Sequence, residues 1–180
     1  RLSIVQELRE IYFKFPKQVI KDCESMRVEK DFEELLKLFN EHEVKYCIIG
    51  AFAMAFHVQP RYTKDLDILV EPTVENGRKI INALNEFGFG RLNLSEEDFC
   101  HEGKCIQLGY EPVRIDLITS VQGLDFQNIW KHQVKGNYGQ QAVFFIGLDE
   151  LIKSKEIANR KQDIADLEKL LPLKKKKKKI

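Results

Sequence analysis

The sequence lacks long apolar runs: no stretch of its 180 residues approaches the roughly 20 consecutive apolar residues that a membrane-spanning helix needs. Its first residues also lack the pattern of a secretory signal peptide. No membrane association is therefore expected, and cytoplasm is the expected location. No internal repeat is visible, and a hydrophobic fraction of 43% is enough for one domain with its own core.

Cysteine pairs at metal-binding or redox spacings are also missing. The cysteines at positions 23, 47, 100 and 105 are irregularly spaced and form no CxxC pair. Cys100-His101 together with Cys105 has poor spacing for zinc, and no fourth ligand is evident. We therefore expect free thiols in a reducing compartment.

The net charge of +1 hides an uneven distribution. Residues 174–179 are six consecutive lysines, and without them 29 − 6 = 23 basic residues face 28 acidic ones, or −5 for the body. An acidic body argues against broad binding to nucleic acid, because phosphate contacts supply most of that affinity. The lysine run has two interpretations: a solvated tail, or a basic patch that attracts nucleic acid or anionic lipid.

Hydrophobic periodicity predicts alternating helices and strands. Apolar residues three and four apart predict a helix over residues 29–41, and Thr73 is a suitable N-cap for a second helix reaching about Phe87. The section through Trp130 and Gly139 is polar and predicts loops. Strands are predicted at residues 46–49, 66–70, 104–108, 113–119 and 142–146. This alternation is typical of an α/β (α+β) fold, a short mixed sheet flanked by helices.

Two features of the predicted helices can be checked residue by residue. A small apolar helix is expected over residues 51–57, directly after Gly50 and ending before Pro60. The helix capped by Thr73 should stop at Gly88 or Gly90. Its inward residues should be Val74, Ile80, Ile81 and Leu84.

The pattern divides the chain into four segments. Residues 1–28 predict a helical segment and residues 29–147 the main core. Residues 148–173 predict a charged helical region that packs on the core, and residues 174–180 the lysine-rich tail.

Two aspartates alternate with apolar residues in a predicted strand. Side chains of a strand alternate between faces, so Asp65 and Asp67 project to one side while Leu66 and Ile68 face the core. Two carboxylates this close repel each other unless a cation lies between them. They are therefore natural ligands for a hard divalent metal such as Mg²⁺ (or Mn²⁺). A DxD pair alone is nevertheless common and often only structural.

A third acid strengthens the metal interpretation. Asp116 alternates with Ile115 and Leu117 in another predicted strand, so the three carboxylates converge if the two strands are neighbours. Three acids can hold two metals about 4 Å apart and so stabilise the attacking and leaving oxygens of a phosphoryl displacement. Upstream, a turn at Gly50 before the small helix leaves backbone N–H groups that can hold the terminal phosphates of a nucleotide.

Together these segments resemble the signature of the polymerase-beta-type nucleotidyltransferases. That signature is Gly followed by Gly or Ser, about ten residues, then R-x-T-x-D-hydrophobic-D, and later hydrophobic-D-hydrophobic. The matching segments are residues 49–53, 61–68 and 115–117. The similarity is greatest to a small bacterial and archaeal branch that includes minimal nucleotidyltransferases and abortive-infection toxins, and it covers roughly residues 29–171.

The predicted C-terminal helical region resembles the closing motif of this branch. Lys155, Arg160, Asp163 and Asp166 carry the resemblance, which implies that Lys155 faces the nucleotide site. Lys155, Asn159, Asp163 and Asp166 also fall near one face of a helix. An ordinary salt-bridged surface helix is therefore the alternative.

The resemblance also implies roles for the other matching residues. Gly50 and Ala51 would contact the triphosphate, while Arg61, Thr63 and Lys64 would order the loop before the metal strand or touch phosphate. The metal ligands would be Asp65, Asp67 and Asp116, the last of which would also help to activate the acceptor hydroxyl. Ala51 replaces the usual Gly or Ser, so a hydroxyl directed at phosphate is missing.

The implied reaction is transfer of a nucleoside monophosphate from an NTP such as ATP to an acceptor hydroxyl, with release of pyrophosphate. The acceptor could be an RNA or tRNA end, a partner protein or a small molecule, and the sequence does not select among them. Two alternatives are an inactive partner protein of a toxin–antitoxin pair, which Ala51 favours, and an NTP-binding sensor. Nucleotide preference and oligomeric state do not follow from the sequence.

Overall fold

The computed structural model describes residues 29–58, 63–110 and 113–177. The predicted N-terminal helical segment, Pro60 and Arg61 lie outside the described residues. Among the described helices, none has the length and apolar character to cross a membrane.

The described residues form alternating helices and strands, as the sequence predicts. The helices are α1 (Lys30–Glu41), α2 (Gly50–His57), α3 (Val74–Leu84), α4 (Phe126–Lys131), α5 (Leu148–Ala158) and α6 (Lys161–Lys177). The strands are β1 (Tyr46–Ile48), β2 (Asp65–Val70), β3 (Cys105–Tyr110), β4 (Val113–Ile118), β5 (Val134–Tyr138) and β6 (Gln141–Phe145). A π-helical turn at Asn85–Phe89 extends α3, and Gly88 has the positive φ of 104° that stops it.

The six strands form one mixed sheet in the order β3-β4-β2-β1-β6-β5. The pairs β2–β4 and β1–β6 are parallel, whereas β1–β2, β3–β4 and β5–β6 are antiparallel. The expected fold class, a mixed sheet flanked by helices, is therefore confirmed. The strands β3 and β5 form the two edges.

The core lies between the sheet and the apolar faces of its helices. On α1, Phe32, Leu35, Leu36 and Phe39 are at most 1% exposed, which the three-and-four spacing predicts. Leu66 and Ile68 of β2 are fully buried in the same hydrophobic cluster. This alternation leaves the aspartates of β2 on the opposite face of the sheet.

Asn76 ties α3 to the first two strands. Its side-chain oxygen accepts a hydrogen bond from the Lys45 N–H (2.8 Å), and its amide nitrogen donates to the carbonyls of Lys45 and Glu71 (3.1 Å each). Asn76 is only 2% exposed. Thr73 caps α3 as predicted, because its Oγ1 accepts a hydrogen bond from the Asn76 N–H. Backbone groups at the ends of β1 and β2 are thus satisfied by one side chain.

The prediction that Val74 faces inward is wrong, since its side chain is 51% exposed. Val74 precedes Ile80 by six residues, which at about 100° per residue places it roughly 240° around the helix from the buried face. Asn76 and Gly77, four and three residues before Ile80, are the buried residues of that turn.

The prediction of loops in the section through Trp130 and Gly139 is also wrong, because α4 and β5 lie in that section. The Asp125 carboxylate caps α4 by accepting from the Asn128 N–H, and two apolar residues of α4 are buried. The polar sequence of β5 reflects its place at the edge of the sheet, where alternate side chains face solvent.

The C-terminal helices form a hairpin, and the second one is longer than predicted. Asn159 adopts a left-handed conformation (φ 48°) between α5 and α6. Helix α6 continues through Pro172 to Lys177, although an internal proline removes one helical hydrogen bond. Leu173 packs against the core and the Lys174 ammonium lies 2.8 Å from the Asp149 carboxylate. These two contacts hold the start of the lysine run at the beginning of α5.

Candidate active site

The parallel pairing of β2 with β4 brings the three predicted acids together. Asp67 and Asp116 are register partners, and Asp65 precedes Asp67 by two residues on the same face. The condition set by the sequence, that the two strands be neighbours, is therefore met. Asp116 is only 6% exposed, and the two acids of β2 are half-buried.

Arg114 bridges two of these acids and was not predicted as a site residue. Its Nη2 donates to Asp65 Oδ2 at 2.9 Å and to Asp116 Oδ2 at 3.1 Å, and its Nε lies 3.0 Å from Asp116 Oδ1. The available signal was its spacing, because Arg114 and Asp116 are two apart on one predicted strand. The guanidinium supplies positive charge where the carboxylates would otherwise repel.

Asp67 is the acid of the cluster whose charge is least neutralised, because Arg114 donates to the other two, Asp65 and Asp116. The pKa of Asp67 is raised to about 6, mainly by burial and then by the carboxylates of Asp116 and Asp65, against the opposing charges of Arg114 and Arg160. Asp65 Oδ1 is buried without a hydrogen-bond partner among the described residues. The cluster thus has more negative charge than its surroundings balance.

The donor chemistry suits a hard divalent cation, although the side chains are not arranged to hold one as they stand. Carboxylate oxygens are the ligands that Mg²⁺ and Mn²⁺ prefer, and the orphaned Asp65 oxygen is an unused one. Nowhere in the described ranges do three Asp, Glu, His or Cys side chains form a ready metal site. Arg114, which holds two of the acids, would have to turn away to admit a cation.

Gly50 lies against the acid cluster and requires the absence of a side chain. Its φ is +63°, and a Cβ there would overlap Asp67 Oδ2. The neighbouring Ile49 N–H donates to the Asp67 carbonyl at 3.0 Å, which fixes the turn beside β2. No side chain caps α2, and half-buried Ala51 lies in its first turn. Backbone N–H groups at this helix start therefore lie beside the carboxylates.

The other residues predicted before the metal strand have structural contacts where they are described. The Thr63 hydroxyl donates to the Asp65 carbonyl at 3.3 Å, which orders the start of β2. Lys64 is exposed, and its carbonyl accepts from the Arg114 N–H at 3.4 Å. Arg61 lies outside the described residues.

Lys155 lies buried inside the α5–α6 hairpin. Its Nζ is 2.9 Å from Asp163 Oδ1 and 2.7 Å from Asp166 Oδ2. Burial acts to raise the pKa of Asp163, but hydrogen bonds from Lys155 and Arg160 outweigh it and hold that pKa below its usual value. The expected ion pairs are present, yet they are buried rather than on the surface.

Arg160 lies at the turn of this hairpin and acts on the acid cluster electrostatically. It follows Asn159 in the turn between α5 and α6, and its Nε donates to Asp163 Oδ2 at 2.9 Å. The side chain is 78% exposed, and its charge lowers the pKa of Asp67. The turn of the hairpin therefore lies near the acids, and Arg160 offers them a solvent-accessible cation.

The cysteines weighed for zinc form no metal site among the described residues. Cys105 is exposed, whereas the Cys100 thiol is half-buried and donates to the Glu97 carbonyl. His57 Nε2 lies 2.7 Å from the Ile146 carbonyl, which joins α2 to the start of the C-terminal hairpin.

The fold of this chain is similar to that of solved nucleotidyltransferases. Among solved structures, the lincosamide antibiotic adenylyltransferase LnuA, in its lincomycin-bound form, is 17% identical with a TM-score of 0.53, covering 79% of this chain and 95% of its own. A Thermotoga maritima protein described as a nucleotidyltransferase is 14% identical with a TM-score of 0.53, covering 79% of this chain and 91% of its own. No protein-family model and no curated protein matches the sequence. The resemblance seen in the sequence is thus confirmed at the level of the fold.

Proposed function

We propose that the protein is a metal-dependent nucleotidyltransferase that transfers a nucleoside monophosphate from an NTP, such as ATP, to an acceptor hydroxyl and releases pyrophosphate. One observation carries the proposal: the register of β2 and β4 places Asp65, Asp67 and Asp116 on one face of the sheet, beside the turn at Gly50. Phosphate-binding N–H groups and metal-binding carboxylates are both needed for a triphosphate substrate.

The triphosphate would bind between the start of α2 and the acids. Gly50 allows close approach because it has no side chain, and the uncapped N–H groups of α2 carry the partial positive charge of a helix start. Arg160 is exposed near Asp67 and can add a charged contact to phosphate. Ala51 supplies only its backbone N–H.

Asp65, Asp67 and Asp116 would hold Mg²⁺ or Mn²⁺, which would neutralise charge on the phosphates when bound. Arg114 then has to leave Asp65 and Asp116, and its guanidinium becomes available to phosphate or acceptor. In our proposal Lys155 stabilises the hairpin whose turn carries Arg160, because its ammonium is bound to Asp163 and Asp166. A direct contact from Lys155 to nucleotide stays a prediction.

The transfer step needs one deprotonation and one displacement. The acceptor oxygen forms a bond to the α-phosphorus, and the bond from that phosphorus to the bridging oxygen of pyrophosphate breaks. The hydroxyl proton passes to the Asp116 carboxylate, and the bonding electrons leave with pyrophosphate. Positioning and charge neutralisation supply most of the catalysis in reactions of this type.

The alternative is a protein that binds NTP without turnover, as a sensor or as the inactive partner of a toxin–antitoxin pair. Two observations favour it: Ala51 lacks a hydroxyl, and Arg114 occupies two of the three acids. Transfer activity itself separates the two functions.

The test uses the intact protein with each of the four NTPs labelled at the α-phosphate, Mg²⁺, and separate RNA, protein and small-molecule fractions of a cell extract. We expect label in one fraction, and no transfer by the double variant Asp65→Asn with Asp67→Asn. The control Glu97→Gln neutralises an exposed acid elsewhere and should keep full activity. Wild-type transfer by the double variant would contradict the metal site, and NTP binding without any transfer would favour the sensor.

A further inference from the structure

The face of the sheet that carries the acids is covered towards β1 and open towards β3. One cross-strand row on this face runs Leu69–Ile118–Cys105, and its side chains pass from 1% exposed through half-buried to exposed. A second row runs Asp67–Asp116–Gln107, and Gln107 is exposed. A ligand can therefore approach the acids across β3 and β4.

Gln107 is placed to contact whatever lies on Asp116. The two residues are antiparallel register partners, so their side chains share a face with Cβ atoms about 4.5–5.5 Å apart. The Gln107 amide makes no hydrogen bond to any other described residue. Its NH₂ group can therefore donate to a hydroxyl beside the one that reacts, and its C=O group can accept from that hydroxyl.

The charge of this surface disfavours a polyanion. Arg114 is the only basic residue in β3 and β4, and it is bound to two acids. The lysine run begins at Lys174, beside Asp149 at the start of α5, whereas the hairpin turn near Asp67 follows the end of that helix. Because α5 has 11 residues, about 16 Å of helix separates the lysines from the turn.

We propose that the acceptor is a small uncharged or cationic polyol that binds across β3 and β4, where Gln107 positions it. This inference rests on the nucleotidyl transfer proposed above. The nucleotide then occupies the Gly50 side of the acids and the acceptor the Gln107 side. Gln107 touches the acceptor next to its reacting hydroxyl and takes no part in the proton transfer.

The first test measures transfer from α-labelled NTP to three probes: glycerol, lincomycin and total transfer RNA. We expect label on a polyol, and Gln107→Ala should raise the KM for that polyol about five- to tenfold, the effect of one lost hydrogen bond. The kcat and the dissociation constant for NTP should stay within about twofold, because Gln107 does not face the nucleotide side. Asn137→Ala is the matched control, since Asn137 is an exposed amide on the opposite edge strand.

The same experiment can overturn the inference. Label on transfer RNA alone, label on no polyol, or an unchanged polyol KM in Gln107→Ala would each show that it is wrong. Failure of the proposed function has a different signature, because the wild-type protein would then transfer label to none of the three probes and to no fraction of a cell extract, whether or not it binds NTP.

A second test does not depend on a point substitution at Gln107. Cys105 lies two residues away on the same face, so alkylating it places bulk over the proposed acceptor surface. In the variant Cys23→Ser with Cys100→Ser, N-ethylmaleimide should label Cys105 in preference to buried Cys47. We expect loss of at least tenfold in transfer with unchanged NTP binding, and unimpaired transfer after full labelling would contradict the assignment.

Discussion

At the scale of single residues, the site depends on a close approach between Gly50 and Asp67. Gly50→Ala should be costly for two reasons: an alanine at φ +63° is strained by about 1–2 kcal/mol, and its Cβ would overlap the Asp67 carboxylate. We expect a loss of more than about 2 kcal/mol in the free energy of unfolding in urea, together with weaker NTP binding.

Gly103→Ala separates strain from contact. Gly103 has φ +81°, but a Cβ there would meet nothing within 4 Å. Gly103→Ala should therefore lower the free energy of unfolding only by the backbone strain, and it should leave NTP binding unchanged. Equal effects of the two substitutions would mean that the contact with Asp67 is unimportant.

The charge of Asp67 predicts a pH dependence of stability in the metal-free protein. Its pKa is raised to about 6 by burial and by Asp116 and Asp65, so the folded state disfavours its charged form. Stability should fall as pH rises from about 4, the value in the unfolded chain, to about 6, and then level off. Asp67→Asn should remove this pH-dependent fall in stability.

We therefore expect Asp67→Asn to stabilise the protein by about 1–3 kcal/mol at pH 7.5 and by almost nothing at pH 4. Urea unfolding with a chelator present measures both values, and Glu97→Gln is the exposed-acid control. A gain of the same size at both pH values would contradict the assigned cause.

At the scale of elements, Asn76 predicts how strongly α3 is fastened to the sheet. Asn76→Ala removes three side-chain hydrogen bonds and leaves the Lys45 N–H without its partner, while the Lys45 and Glu71 carbonyls keep the N–H groups of Glu71 and Thr73. We expect a cost of about 2–4 kcal/mol in urea unfolding. Asn82→Ala lies on the same helix at an exposed position and should cost less than about 0.5 kcal/mol. A cost for Asn76→Ala as small as that would contradict the role.

The elements that could be predicted were those with a strong period of their own. Helix α1 shows its buried face at every third or fourth residue, and the first four residues of β2 alternate between aspartate and apolar residues. The elements α4 and β5 could not be predicted, because α4 is only six residues long and β5 owes its strand form to pairing with β6. Such pairing is a tertiary contact that a local pattern does not contain.

At the scale of the whole molecule, the sequence predicted which acids share one face of the sheet, but not which basic residues balance their negative charge. The alternation of Asp65, Asp67 and Asp116 with apolar residues was sufficient for this prediction, because register partners on paired strands have their side chains on the same face of the sheet. The bridge from Arg114 depends on side-chain conformation, and the position of Arg160 depends on how the C-terminal hairpin folds back. Local spacing puts Arg114 on the same face as Asp116, but it encodes neither of these two contacts.

The parallel pairing of β2 with β4 also has a consequence for how the protein folds. Parallel neighbours need a long crossover, and here the whole of α3, the turns after it and β3 lie between the strands that carry Asp67 and Asp116. Contacts so distant along the chain form late, because the loop between them must close first. No partial fold that lacks β4 contains the cluster, so under the proposed function the recovery of NTP binding during refolding should report the pairing of β4 with β2 rather than an early intermediate.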